Sequence, residues 1–158
     1  INIDKTGGSL TLSGVIRTTN DWTYTAGSII TTGSTLAFAP AVNLDITPGN
    51  SINYNNITFN GAGSATLTAG STLNTTGILT LTSGTVNTGT ISASGSSINL
   101  ETGFGGGSTV LSLTGSAAQA LTGGASGSSL PLEINKSGGT LAITPCGITY
   151  TSVLFNSS

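Results

Sequence analysis

Histidine and methionine are absent from the 158 residues, and cysteine occurs once, as Cys146. Without histidine, neither a Ser-His-Asp triad nor a Cys-His pair can be assembled. A single cysteine rules out a disulfide within the chain. Cys146 follows Pro145 and reads as a small residue near a turn, the alternative being a bridge to another chain in an oxidising compartment. Charge is equally scarce. Lys5, Arg17 and Lys136 face Asp4, Asp21, Asp45, Glu101 and Glu133, together 5% of the chain. An average soluble domain carries about 25%. Three scattered cations cannot neutralise a phosphate backbone or form a polybasic patch, so neither a nucleic-acid partner nor membrane insertion is expected. No apolar run approaches the roughly 20 residues that span a bilayer. The chain starts at Ile1 with no basic stretch leading into an apolar one, which is expected of a processed chain or a piece of a longer one.

Helix formers are few: two Glu, two Lys, one Arg and one Gln. The Ala-rich patch from Ala117 to Leu121 lies between Gly115 and Gly123, too short a span for a stable helix. What is abundant is 29 Thr, 24 Gly, 22 Ser and 13 Asn. Low charge and 36% hydrophobic residues argue for an ordered chain. The dominant period is two. Ala65-Thr66-Leu67-Thr68, Leu79-Thr80-Leu81-Thr82 and Leu111-Ser112-Leu113-Thr114 alternate apolar and hydroxyl residues, the pattern of half-buried strands. Most runs end at a glycine, as in Thr32-Gly33-Ser34, Pro48-Gly49-Asn50 and Ser83-Gly84-Thr85. The chain therefore reads as all-β, built from many short strands.

Internal repeats refine this reading. Ile1-Asn2-Ile3-Asp4-Lys5-Thr6-Gly7-Gly8-Ser9-Leu10-Thr11-Leu12 aligns without a gap on Leu132-Glu133-Ile134-Asn135-Lys136-Ser137-Gly138-Gly139-Thr140-Leu141-Ala142-Ile143, an offset of 131. Both lysines of the chain fall in register. A second family pairs residues 25–33 with 68–77, an offset of 43 with one insertion, or two turns of about 20 residues. Regular short strands, glycine turns and self-similarity point to a β-solenoid, parallel β-helix-like, of about seven to eight short coils. A β-sandwich built on the same alternation is the alternative. Residues 1–158 read as a single repetitive β domain, one unit of a longer array on the strength of the end-to-end repeat. Residues 101–129, with Gly105-Gly106-Gly107 and Gly123-Gly124, read as an irregular insertion.

The stretches from Leu130 to Leu141, from Gly77 to Gly89 and from Ile1 to Leu12 resemble the Gly/Thr/Asn-rich repeats of very large adhesin-like surface proteins of Bacteroidetes and related bacteria. These are broadly similar to filamentous-haemagglutinin and autotransporter-passenger solenoids. The resemblance implies a secreted, cell-surface or matrix location and a role in adhesion or fibres. It carries over no catalytic residues.

A search for chemistry finds little. A Ser-Lys dyad would need Lys5 or Lys136, yet each has a carboxylate-bearing neighbour in a repeated strand-turn unit and reads as a solvated face. Five dispersed acids could converge only through the fold. Arg17, Asp21, Trp22 and Tyr24 form one cluster, read either as a charged edge with packed aromatics or as a glycan-stacking site at Trp22 and Tyr24. Asn53-Tyr54-Asn55-Asn56 lacks the charge of a hard-cation loop. Gly103-Phe104-Gly105-Gly106-Gly107 lacks the lysine and helix of a phosphate loop. No enzyme activity, cofactor or metal is expected. The leading expectation is a structural or adhesive extracellular protein that assembles with copies of itself by β-strand stacking. Ile1, Ile3, Leu132, Ile134 and Phe155 are its candidate assembly ends. The alternative is an ice- or glycan-binding module with a flat Thr/Ser/Asn face.

Overall fold

The computed structural model describes residues 1–124, 128–144 and 149–156. Cys146, with the turn expected around it, lies outside the described residues. The described chain contains no helix and runs as β1 (Asn2–Thr11), β2 (Val15–Thr18), β3 (Trp22–Ile30), β4 (Thr35–Phe38), β5 (Leu44–Thr47), β6 (Asn53–Tyr54), β7 (Asn56–Leu67) and β8 (Thr72–Thr75). It continues as β9 (Leu79–Asn87), β10 (Thr90–Ala93), β11 (Ser97–Phe104), β12 (Val110–Gly115), β13 (Gln119–Gly123), β14 (Ser129–Lys136), β15 (Leu141–Ile143) and β16 (Thr149–Phe155).

Each strand pairs in parallel with the strand one turn before and after it, so the chain is a β-solenoid of about seven turns rather than a sandwich. The early turns have three strand segments, which define three faces. Face a takes the start of β1 and of β3, then β5 and the ends of β7 and β9. Face b takes the end of β1 and of β3, then β6, β8, β10, β12, β14 and β16. Face c takes β2, β4, the starts of β7, β9 and β11, then β13 and β15. Long strands such as β7 bend through a corner. Its Ile57–Phe59 lies on face c, between β4 and β9, while its Ala65–Leu67 lies on face a, beside β5.

Alternation explains the core. On face c, Leu36, Ile57, Leu79, Ile98, Leu121 and Ile143 stack directly on one another, one per coil. On face b, Leu73, Ile91, Leu111, Leu132 and Val153 do the same. Many of their neighbours in sequence are Thr, Ser or Asn, such as Thr58, Thr80, Asn99 and Thr122 on face c, which are at least partly exposed. Aromatic rings widen the early coils. Trp22 packs edge-on against Phe38 (6.3 Å between centroids) and Tyr54 (6.0 Å), and Phe38 stacks on Phe59 (5.1 Å). Later coils close mainly around aliphatic side chains, with Phe104 also buried among them.

Corners depend on close approach of backbones. A Cβ on Gly95 would sit 1.7 Å from the Gly77 carbonyl oxygen, one coil below, so only glycine fits there. Gln119 bolts the same region together. Its Nε2 donates to the carbonyls of Ala93 (2.9 Å) and Gly95 (2.8 Å), and its Oε1 accepts from Lys136 Nζ (2.9 Å). This satisfies a polar side chain that is 3% exposed.

The structure corrects the reading of residues 101–129. Their described part is not an insertion: it holds the end of β11, all of β12 and β13, and Ser129 at the start of β14, all continuous with the stack. Gly106, Gly107 and Gly123 sit where backbones of adjacent coils approach closely, and the irregular spacing includes a bulge in β11. Leu100 pairs with Leu81 but Gly103 with Ser83, so an extra residue is absorbed within the strand.

The two repeat families also behave differently. Residues 25–33 and 68–77 both turn the corner from face a to face b, two coils apart, and are true structural equivalents. The longer match is out of phase. Ile1–Leu12 turns from face a to face b, whereas Leu132–Ile143 turns from face b to face c. What recurs there is a strand–Gly-Gly–strand unit that can serve either corner, not a whole coil.

Candidate functional site

Two surfaces of the described residues bear on function: the ends of the stack, and a trench on the corner between faces a and b.

At the ends, β1 and β2 form one open edge, and β15 and β16 the other. The proposed end residues divide between surface and core. Ile1 is 49% exposed and Phe155 73% exposed, whereas Ile3 and Leu132 are buried and Ile134 is half-buried. Phe155 stands above Ile134, which stands above Leu113, at an inward-facing position of face b. Val153 tops the neighbouring ladder on Leu132, and Ile143 tops the face c ladder. These three occupy core positions by register and are exposed in the last described coils. Sequence reading missed Val153 and Ile143, although both continue the alternation that marks inward positions.

Trp22 and Tyr24 part company. Trp22 is 1% exposed inside the solenoid, its Nε1 donating to Tyr54 Oη at 3.1 Å, so its ring offers no face to a sugar. The correction follows from parity: Trp22 aligns with the inward Ile46 of β5. Tyr54 in turn donates to the Pro48 carbonyl at 2.7 Å, and burial pushes its phenol well above its ordinary pKa, partly offset by the hydrogen bond from Trp22. Tyr24 reaches the surface. Its ring lies against Gly49, where a Cβ would come within 2.3 Å of Tyr24 Cδ1, and its hydroxyl donates to the Gly27 carbonyl at 2.6 Å.

Tyr24 lines one of two adjoining hollows of about 360 and 390 Å³, which share Thr47, Thr68 and Ala69 and together make the trench. Thr25 and Asn50 border it at the corner; Asp45, Thr66 and Thr88 border it on face a. Thr23 pairs with Thr47 and Thr47 Oγ1 lies 2.9 Å from Thr68 Oγ1, forming a file of threonines over three coils, while Thr88, one coil on and opposite Leu67 in register, borders the same hollow. Thr68 Oγ1 donates to the Ile46 carbonyl (3.2 Å) and Thr88 Oγ1 to the Leu67 carbonyl, each reaching one coil down. The file beside it runs Asp45, Thr66, Asn87. Asp21 Oδ1 accepts the Asp45 backbone N–H at 2.8 Å, which fixes the acidic end of the trench. The signal for this site lay in the repeat of residues 25–28 at 68–71, since both segments border it.

The remaining acids stay apart: among the described residues no three of His, Cys, Asp and Glu cluster as a metal site would require. Among the same residues no helix is long and apolar enough to cross a membrane. Comparison with known proteins found no family model that fits the chain, and no curated protein and no solved structure matches it.

Proposed function

We propose that the chain is a structural, adhesive rod segment of the bacterial cell exterior that assembles with copies of itself by adding coil to coil. The observation that supports this reading is the coil-on-coil parallel stacking itself, in which an inward ladder such as Leu73, Ile91, Leu111, Leu132 and Val153 adds one side chain per coil, and Ile143, Val153 and Phe155 hold such positions in the last described coils. In a stack of copies, β2 of one would lie on β15 of the next and the end of β1 on β16, preserving the faces. Parallel edges supply the backbone hydrogen bonds, and covering the part of the three side chains still exposed adds roughly 1–2 kcal/mol each. A net charge of −2 leaves little repulsion between copies. The extracellular setting rests on the resemblance of the repeats to bacterial adhesin regions.

The test is sedimentation velocity and negative-stain microscopy over a wide concentration range. Rods that lengthen with concentration in the wild type, and shorten to single units in Val153→Lys/Phe155→Lys, are the expected result. A wild type that stays monomeric and rod-free at the highest concentration refutes the assembly.

A second reading, a binding face for ice or glycan, draws on the threonine file. The neighbouring file contains Asp45 and Asn87 instead of threonine, a break in the regular lattice that ice matching needs, so glycan is the better supported of the two.

A further inference from the structure

We infer that the trench between faces a and b is a binding site for a neutral, hydroxyl-rich polysaccharide, with Tyr24 as its stacking platform. This is independent of end-to-end stacking, since a chain that never assembles can still bind through this face.

The chemistry of the ligand follows from where the trench protons point. A threonine hydroxyl has one proton and two acceptor lone pairs. Thr68 and Thr88 can give their protons to the Ile46 and Leu67 carbonyls of the coil beneath. In the Thr47–Thr68 pair either hydroxyl can be the donor. Whichever donates, the hydroxyl oxygens of the file keep acceptor capacity for a ligand. The Asp45 carboxylate adds further acceptors and a negative charge. A matching ligand brings many O–H donors and no anion, which describes a neutral glycan and not a polyuronate or a sulfated chain. Lys5, packed under Gly27 one coil below, does not line the trench.

The shape agrees. The backing of Tyr24 by Gly49 and the bond from its hydroxyl to Gly27 hold the ring in place before any ligand arrives. An amphipathic ring beside fixed hydroxyls suits a pyranose, whose C–H face can lie on the aromatic while its hydroxyls reach the threonines. Along the stack the trench runs from Tyr24 past Thr47 and Thr68 to Thr88, three coil spacings or roughly 14 Å, room for more than one sugar ring.

The experiment is affinity electrophoresis of the whole chain through gels containing laminarin, xylan or galactomannan, with polygalacturonate and alginate as acidic counterparts. Retardation by at least one neutral polymer and by neither acidic one is expected. Tyr24→Ala and the near-isosteric Thr68→Val should each weaken that retardation about tenfold, in proteins whose circular dichroism and unfolding midpoint confirm the fold. Asp45→Asn should keep neutral binding and relax the exclusion of the acidic polymers. Absence of retardation by every neutral polymer overturns the proposal. So does equal retardation by acidic ones, or neutral binding that survives both Tyr24→Ala and Thr68→Val. Because the gels read monomer binding and sedimentation reads assembly, failure of one leaves the other standing.

Discussion

Gly95→Ala tests the closeness of coil stacking most directly. The added Cβ would meet Gly77 O at 1.7 Å, Gly77 C at 2.6 Å and Thr76 O at 2.9 Å, all of them backbone atoms that cannot swing aside. Restoring a normal C···O contact of about 3.3 Å requires the corner to lift by roughly 1.6 Å. That lift off the coil beneath breaks the Ser94 N–H bond to the Thr75 carbonyl (2.9 Å) and crowds the Gly95 carbonyl against Gln119 Nε2, 2.8 Å away on the coil above. It also breaks the longer Ser94 Oγ bond to the same carbonyl (3.3 Å). At about 1 kcal/mol per bond, more where a buried partner is left unsatisfied, and with the crowding added, the loss is about 3–5 kcal/mol. Gly70→Ala is the control. Gly70 has φ +74° with nothing within 4 Å, so alanine there meets only the left-handed backbone penalty of about 1–2 kcal/mol. Urea unfolding followed by far-ultraviolet circular dichroism compares the two. A Gly95→Ala midpoint as high as that of Gly70→Ala would refute the tight corner.

Three further outcomes follow from the same geometry. Trp22 should show blue-shifted fluorescence and resist quenching by acrylamide or iodide in the folded chain, and free access of quencher would contradict its burial; Trp22→Ala should cost about 3–5 kcal/mol in urea unfolding. Tyr54 holds its proton in the fold beyond the unfolded pKa of about 10, so stability contributed by this group is complete below that pH and declines above it. Urea midpoints measured from neutral to alkaline pH should show that decline, and Tyr54→Phe should lessen it. Gln119→Leu should cost about 2–4 kcal/mol by stranding the carbonyls of Ala93 and Gly95, whereas Lys136→Met should cost under about 1 kcal/mol; equal losses in the two would show that the carbonyl bonds are not what Gln119 contributes.

Much of the fold was legible in residue order because a strand has a period of two and a corner needs glycine. Leu79-Thr80-Leu81 and Leu111-Ser112-Leu113 already state which positions face inward. Phase was harder. The match of Ile1–Leu12 with Leu132–Ile143 reads as one unit recurring, yet the copies sit at different corners, because a Gly-Gly turn closes either corner equally well. The bulge at Leu100–Gly103 read as an insertion, since one extra residue disturbs spacing in the sequence while the stack absorbs it. For Trp22 and Tyr24 the difficulty was of another kind. Both share the same parity on β3, so alternation treats them alike; Trp22 is enclosed by Phe38 and Tyr54, whereas Tyr24 lies at the corner against Gly49.

By itself, then, residue order decided the chemistry available and the kind of structure: no histidine for catalysis, few charges, and an alternation that commits the chain to strands. The tertiary structure decided neighbourhood. Tyr24, Thr47, Thr68 and Thr88 are separated by about one turn of chain, and nothing local in the sequence links them. Coil stacking brings such residues to about 4.8 Å spacing through backbone hydrogen bonds that are blind to side-chain identity. Side-chain pattern selects the strand, but the coil length, fixed by where the corners fall, selects which side chains meet.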